Sequence, residues 1–255
     1  MEAQMDGLTL LDDEGDEISF TPDTLNATDE VAELCLVGTF LTERPINPKI
    51  MKQRISAIWR PGKGVTIRDI GFKRFIFQFY HRIDMRRILE RGPWTFDNNF
   101  LILHHLKQEE QPLQVPLTHL NFWIQIHDLP IGYMSEAVGK QLGSFMGTFL
   151  EYDSHNNKGS WRPYMRIRVA LDVGNPLKRC KKIRKSNGES FLANFKYEKL
   201  GSFCFLCGCL GHTEKFCEKL FTMTNDDGNR NWGPWIRAQD RRMISSSENK
   251  WLRDD

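Results

Sequence analysis

CFLCGCLGHTEKFC, residues 204–217, is the stretch around which the rest of this chain is organised. Two residues separate Cys204 from Cys207. Four residues separate Cys207 from His212, and four more separate His212 from Cys217. Three thiolates and one imidazole at this spacing suit a single tetrahedral zinc ion. A segment this short cannot fold on its own buried surface, so metal binding must supply its folding free energy.

All four coordination positions of the predicted site are filled by protein side chains, so we expect one structural Zn²⁺ and no metal chemistry. Residues 201–219 have the pattern of a CCHC zinc knuckle, a module usually found on single-stranded nucleic acid. Phe205, Leu210 and Phe216 are the side chains expected to contact bases. The alternative is that Phe205 and Phe216 pack back on the neighbouring hairpin. Cys209 fits no ligand position in the spacing.

A strongly basic segment lies directly before the knuckle. Six of the eight residues from Lys178 to Lys185 are Lys or Arg. Asn187-Gly188 then predicts a two-residue turn, with Phe191–Tyr197 returning as the partner strand of a β-hairpin. Binding to a phosphate backbone is expected from a set of basic residues on this hairpin and the preceding strand: Arg166, Arg168, Lys178, Arg179, Lys181, Lys182, Arg184 and Lys185. The alternatives are a solvated hairpin face and a nuclear localisation signal.

The net charge of +2 conceals an uneven distribution of charge. Residues 1–33 hold 11 Asp or Glu and no Lys or Arg, which leaves all 35 basic residues and 22 of the 33 acidic residues in the remainder. A basic body favours a polyanionic partner. Residues 1–30 are polar and acidic, and we predict that they form a disordered arm.

Residues 31–108 are predicted to form a domain of βαββαβ order. Asn47 followed by Pro48 is typical of a helix N-cap and first helical position. The helix that follows is expected to bury one apolar face, made of Ile50, Met51, Ile55, Ile58 and Trp59. Apolar periodicity places the other elements along the chain: strands at 34–37, 65–70, 75–79 and 100–106, and a second helix at 85–89.

This order predicts a ferredoxin-like sheet covered by two helices on one face. RNA-recognition domains share the order, but residues 73–80 lack the small residues of their third-strand signature. We therefore expect Phe75, Phe77 and Phe79 to pack in the core rather than to stack on bases.

After a polar linker, residues 115–200 are predicted to form a second, smaller α+β unit that ends in the basic hairpin. Alternating apolar residues from Phe122 to Ile126 indicate a strand. Ser135 is expected to cap a helix that buries Val138, Leu142, Phe145 and Phe149. The alternation from Met165 to Leu171 then places Arg166 and Arg168 on the opposite face of another strand. The chain as a whole is predicted to be α+β.

The remaining features restrict the class of protein. Four of the six cysteines lie in the knuckle, which favours metal binding in a reducing, intracellular compartment, nuclear or cytoplasmic. No apolar run reaches the length of a membrane span. Residues 220–255 are expected to be a polar, disordered tail with a docking motif at 232–237.

An enzyme is the competing class, and the sequence does not favour it. Motifs of zinc hydrolases, nucleotide-binding loops and serine hydrolases do not occur. His104 and His105 point to opposite faces of a predicted strand, so they cannot bind one ion together from there. We expect structural histidines, no catalytic residue and no small-molecule substrate.

Several segments together resemble a known family. They are Arg91–Phe96, Phe122–Pro130, Pro176–Arg179, Lys196–Leu200 leading into the knuckle, and Trp232–Ala238. In this order they resemble plant proteins with an N-terminal domain of unknown function followed by a CCHC zinc knuckle, encoded by the first open reading frame of LINE-type retrotransposons or derived from it. The family often has Pro before the knuckle, where this chain has Gly201.

The resemblance implies a zinc cofactor and nucleic-acid binding within a ribonucleoprotein, and no defined reaction. Our first hypothesis is therefore zinc-dependent binding of single-stranded RNA or DNA, with self-association as a possible addition. The second hypothesis is that the knuckle is a protein-interaction module and that the N-terminal domain is an assembly unit.

Overall fold

The computed structural model describes residues 33–156, 163–223, 226 and 228–239. The acidic arm predicted at 1–30 and the final part of the predicted tail lie outside the described residues. The fold is α+β, as predicted, and its main elements are two five-stranded antiparallel sheets.

The first unit contains five strands and two helices. In chain order they are β1 (Cys35–Phe40), α1 (Pro48–Trp59), β2 (Val65–Gly71), β3 (Arg74–Phe79), α2 (Arg82–Arg91), β4 (Trp94–Phe96) and β5 (Asn99–His105). The sheet order is β2-β3-β1-β5-β4. This is the ferredoxin-like order with one short extra edge strand, β4, which the sequence analysis missed.

Local chemistry explains where α1 starts. The Asn47 side chain accepts hydrogen bonds from the backbone amides of Lys49 and Ile50, and Pro48 begins the helix, as predicted. The buried face of α1 is narrower than predicted. It consists of Met51, Ile55 and Trp59, while Ile50 and Ile58 are exposed, because a helix on one sheet buries only one stripe.

The two faces of the first sheet are covered differently. Phe75, Phe77 and Phe79 lie under α1 and α2, so the prediction of core packing is confirmed. On the other face, Val37 packs against Val115, which lies in the linker that connects the two sheets, residues 106–118. The Arg74 guanidinium also donates to the carbonyl oxygens of Pro112 and Val115. The linker and the core of the second unit, which includes Phe100 and Ile102 of β5, therefore cover the face that RNA-recognition domains leave open.

The second unit repeats this strand order. Its elements are β6 (His119–His127), α3 (Glu136–Met146), β7 (Thr148–Tyr152), β8 (Tyr164–Asp172), β9 (Cys180–Arg184) and β10 (Ser190–Tyr197). The sheet order, β7-β8-β6-β10-β9, matches that of the first sheet position by position. The difference lies between β8 and β9, where a loop takes the place of a second helix.

The elements of the second unit were predicted in part. The β9–β10 hairpin and the Ser135 cap of α3 are present as expected. The buried face of α3 is not as expected, since Phe145 is partly exposed and Phe149 lies in β7. The helix ends at Met146, and the chain turns directly into a strand that the sequence analysis did not identify.

The C-terminal segment is ordered as far as it is described, which corrects the expectation of disorder for 228–239. A short α4 (Glu218–Thr222) follows the knuckle. Tyr197 then forms a parallel bridge with Arg237, and Ile236 is buried in the core of the second unit. No helix in the described ranges has the length and apolarity needed to cross a bilayer.

Candidate zinc and nucleic-acid site

The four predicted zinc ligands converge on one point. The ligand atoms of Cys204, Cys207, His212 and Cys217 all lie within 4.8 Å of one another. The Sγ of Cys207 is 3.3 Å from Nε2 of His212. Ligand atoms around tetrahedral zinc are separated by about 3.5 Å, given bond lengths of about 2.0–2.3 Å. The donor set and its size therefore fit Zn²⁺.

The backbone between the cysteines supports this arrangement. The amide of Cys207 donates to Sγ of Cys204 at 3.5 Å, and the amide of Cys209 donates to Sγ of Cys207 at 3.4 Å. Gly208 and Gly211 have φ of 77° and 89°, a left-handed conformation that favours glycine. Sγ of Cys209 does not belong to the converging group.

Burial changes the pKa values of the ligand thiols. It raises the pKa of Cys204 to about 12 and also raises the pKa of Cys207. Zinc binds thiolates, so binding at this site releases protons.

The knuckle is docked on the body and does not project from it. Phe203 and Leu210 pair as an isolated bridge and are buried in the core of the second sheet. The amide of Leu177, in the loop between β8 and β9, donates to the carbonyl oxygen of Gly208 at 2.9 Å. Gly211 lies against Leu41 of the first unit. The knuckle thus contacts both units.

This docking changes which side chains can contact bases. Leu210 was predicted to contact bases but is only 5% exposed. Phe205 is half-buried and packs edge-on against Phe203, with ring centroids 5.0 Å apart, so it packs inward but on the knuckle's own Phe203. Phe216 is 59% exposed, and the Arg44 guanidinium lies 5.0 Å from its ring centroid. Of the three predicted contacts, Phe216 alone presents an open ring.

Arg44 was missed by the sequence analysis. It lies in the loop after β1, far from the knuckle in sequence, and has no neighbouring motif that could have identified it. It reaches Phe216 because the knuckle docks at the end of the first sheet near Leu41.

The basic segment divides into engaged and exposed side chains. Arg179 donates to the carbonyl oxygen of Asn231 at 2.7 Å and covers the Trp232 ring. Lys178 and Lys181 lie over the Phe145 ring, with Lys181 at 3.9 Å from its centroid. Lys185 pairs with Glu189 at 3.0 Å. Lys182 and Arg184, on the other face of β9, are exposed.

The two arginines of β8, which were predicted to bind phosphate, are both engaged within the protein. Arg166 makes a two-pronged contact with Glu198 and a third contact with Asp153. Its guanidinium lies 3.6 Å from the Trp123 ring centroid. Arg168 donates to the carbonyl oxygen of Leu89 at 2.6 Å and so joins the two units.

Comparison with known families agrees with this organisation. Residues 28–114 match the family model described as a domain of unknown function, and residues 171–219 match the zinc knuckle model. The prediction of such a domain followed by a CCHC zinc knuckle is therefore confirmed.

Two similar proteins can be described. An uncharacterized protein of Arabidopsis thaliana is 27% identical over 169 residues, which is 64% of this chain and 53% of the relative. The chain therefore spans about half the length of that relative. A crystal structure of the N-terminal three RNA-binding domains of the yeast splicing factor Prp24 aligns over 55% of each chain. The TM-score is 0.24 at 12% identity, too weak to bear on fold or function.

Proposed function

We propose that this protein is a zinc-dependent binder of single-stranded nucleic acid, with RNA as the preferred partner. The observation that carries the proposal is the closed set of three Cys and one His ligands beside an exposed aromatic ring, that of Phe216. A metal with four protein ligands serves structure alone. Its role here is to hold the loop that presents the ring.

The proposed contacts follow from exposure and charge. The Phe216 ring offers one face for stacking on a base, which stabilises binding by about 1–3 kcal/mol. Arg44, near the same ring, supplies a guanidinium that can stack or meet a phosphate. Lys182 and Arg184 supply further phosphate contacts along β9.

The proposal extends to the cellular role and location of the protein. We propose an intracellular ribonucleoprotein component without catalytic activity, located in the nucleus or the cytoplasm. A retroelement origin would agree with this role. His104 and His105 have separate structural partners, Glu110 and the carbonyl oxygen of Glu33, which supports a non-catalytic role.

Substitution of Phe216 tests the stacking contact. We expect Phe216→Ala to weaken binding of a single-stranded RNA oligomer by about 1–3 kcal/mol in a filter-binding titration. Tyr80→Ala is a matched control, because Tyr80 is 54% exposed and follows the end of β3 remote from Leu41. Equal affinities of the Phe216→Ala and Tyr80→Ala proteins would contradict the proposed contact.

Salt dependence tests the phosphate contacts. Each phosphate contact to a single strand contributes about −0.7 to the slope of log K against log salt concentration. We therefore expect the double change Lys182→Gln and Arg184→Gln to make the slope less negative by about 1.4. Lys140→Gln, on the exposed side of α3, is the control. An unchanged slope would remove these two residues from the interface.

A second candidate function is protein interaction through the knuckle, favoured by Phe221 and Trp235, which are 79% and 58% exposed. It predicts a partner that remains bound after nuclease treatment and is lost on chelation. A partner lost on nuclease treatment would support nucleic-acid binding instead.

A further inference from the structure

The two sheets share a strand order, yet their helix-free faces differ. On the first sheet this face is covered by the linker at Val37 and Val115 and by the second unit at Phe100 and Ile102. On the second sheet the residues that point away from α3 include Trp123 and His127 of β6 and Tyr164 and Arg166 of β8, according to the strand register. These are large flat side chains, and they line or border an open cleft.

The cleft has a volume of about 570 Å³, and Trp123, Tyr164, Arg166 and Glu198 are among the residues that line it. The Arg166 guanidinium is stacked 3.6 Å from the Trp123 centroid. The rings of Tyr164 and His127 lie 5.1 Å apart. Burial, followed by the nearby Lys196 charge, lowers the pKa of the His127 imidazole and so favours its neutral form. Two pairs of flat groups therefore stand side by side on the sheet.

The chemistry of the cleft selects a flat ligand over a phosphate. The edge of the Arg166 guanidinium is already held by Glu198 and Asp153. A guanidinium held in this way recognises a ligand through the face that is turned away from Trp123, and the phenol ring of Tyr164 likewise offers a face. The carboxylates beside it disfavour an anion at the same point. A planar heterocycle such as an unpaired nucleobase satisfies these conditions.

The strand register connects the cleft to the phosphate-binding residues proposed above. Lys182 pairs with Leu192 across β9 and β10, and Lys196 pairs with Gln125 across β10 and β6. Paired residues and alternate residues along a strand share one face. Lys182, Arg184 and Lys196 therefore lie on the same face as the cleft. Cys204, the first zinc ligand, follows Glu198 of the cleft by six residues, a stretch of chain that spans about 20 Å when fully extended.

We propose that this cleft, named here the open-face cleft and formed around Trp123, Tyr164 and Arg166, is a second base-binding subsite for the strand that the knuckle binds. The inference rests on the proposed function for the nature of its ligand. The bases stack in the cleft, and the phosphates lie near the cationic side chains of Lys182, Arg184 and Lys196, on the side of β9.

Two substitutions of Trp123 distinguish stacking of its ring on a base from its packing within the protein. Trp123→Leu keeps apolar bulk over the sheet but removes the aromatic face, whereas Trp123→Phe keeps an aromatic face. We expect Trp123→Leu to raise the Kd for a single-stranded RNA oligomer about 5- to 150-fold, the loss of one base stack. Trp123→Phe should stay within about threefold of the unchanged protein. Zinc content and thermal midpoint, measured for both variants, verify folding.

The Trp123 indole gives a direct readout that does not depend on the knuckle. Its ¹⁵N–¹H signal, assigned by its loss in Trp123→Phe, should shift on titration with nucleoside monophosphates and remain unchanged with inorganic phosphate. Equal shifts with both ligands would mean anion binding, and no shift with either would mean no base subsite. Either result overturns the inference.

The outcomes also separate this inference from the proposed function. Lost RNA affinity in Phe216→Ala but not in Trp123→Leu would overturn the open-face cleft and leave the knuckle in place. The reverse pattern would support the open-face cleft and reject Phe216 as the base contact. If the unchanged protein binds no single strand, both proposals fail.

Discussion

Asp153 and Arg166 show how a partly buried charge pair depends on pH. Burial alone would raise the pKa of Asp153, but hydrogen bonds from the backbone and ring of His155 and from Arg166 lower it from 3.8 to about 2. A carboxyl group with a depressed pKa stabilises the fold fully above its unfolded pKa. That contribution is lost as the pH falls from about 4 toward 2.

We expect Asp153→Asn to reduce the free energy of unfolding at pH 7 by about 1.5–3 kcal/mol, because a charged acceptor is removed. The variant should also lose less stability between pH 4 and pH 2.5 than the unchanged protein. Urea unfolding at both pH values measures this. Glu136→Gln, an exposed carboxylate of α3, serves as the control. Parallel pH profiles for Asp153→Asn and the unchanged protein would reject the explanation.

Arg166 also shows what strand alternation cannot predict, namely the ion-pair partners of a charged side chain. Strand alternation correctly placed Arg166 opposite the apolar residues of β8. It could not reveal Asp153 and Glu198 as partners, because they lie 13 and 32 residues away in sequence. The zinc ligands were found because they are close in sequence and metal geometry restricts their spacing. Partners that meet through the tertiary fold leave no such local signal.

The segment from Asn231 to Ala238 acts as an additional structural element. Trp232 Nε1 donates to the carbonyl oxygen of Leu177 at 2.8 Å, and the indole lies against Gly208. Arg237 donates to the carbonyl oxygens of Leu200 and Gly201, just before the knuckle. The segment therefore joins the knuckle to the β9–β10 hairpin. The Gly and Pro residues of this segment led to a prediction of disorder. In the structure they form a short helical turn at Pro234–Ile236.

Substitution of Trp232 tests this element. We expect Trp232→Ala to lower the free energy of unfolding by about 2–4 kcal/mol, since a large half-buried ring and its hydrogen bond are lost. Zinc content should stay at the level of the unchanged protein, because no ligand is touched. Trp235→Ala is the matched control, because this ring is 58% exposed, and its effect should stay within about 0.5 kcal/mol. Equal effects of the two changes would show that the segment does not hold the knuckle.

Strands with clear apolar periodicity were predicted correctly from the sequence, whereas short edge strands were not. Residues 74–79 alternate cleanly, and β3 was placed correctly. The edge strands β4 and β7 have three and five residues and no clean alternation. An edge strand depends on its partner's register more than on its own sequence. No local pattern predicts the matching order of the two sheets, because that order is set by pairing between strands that are distant in sequence.

We expect zinc removal to affect the two units of the molecule differently. The core of the first unit contains no zinc ligand, whereas Phe203 and Leu210 of the knuckle belong to the core of the second unit. An isolated knuckle unfolds without metal. Here the two sheets provide an apolar core of their own, so metal removal should not unfold the entire chain.

We therefore expect a chelator to weaken the second unit and to leave both sheets folded at 25 °C. Loss of the Phe203 and Leu210 contacts should reduce the free energy of unfolding by about 3–5 kcal/mol, comparable to large core truncations. Far-UV circular dichroism should change little, while the thermal midpoint falls. Cys204→Ser should reproduce the effect without a chelator, and Cys209→Ser should not, because its thiol lies outside the ligand set. Complete loss of secondary structure on chelation would instead make zinc a requirement for the fold of the whole chain. An unchanged thermal midpoint would mean that the knuckle contributes nothing to the core of the second unit.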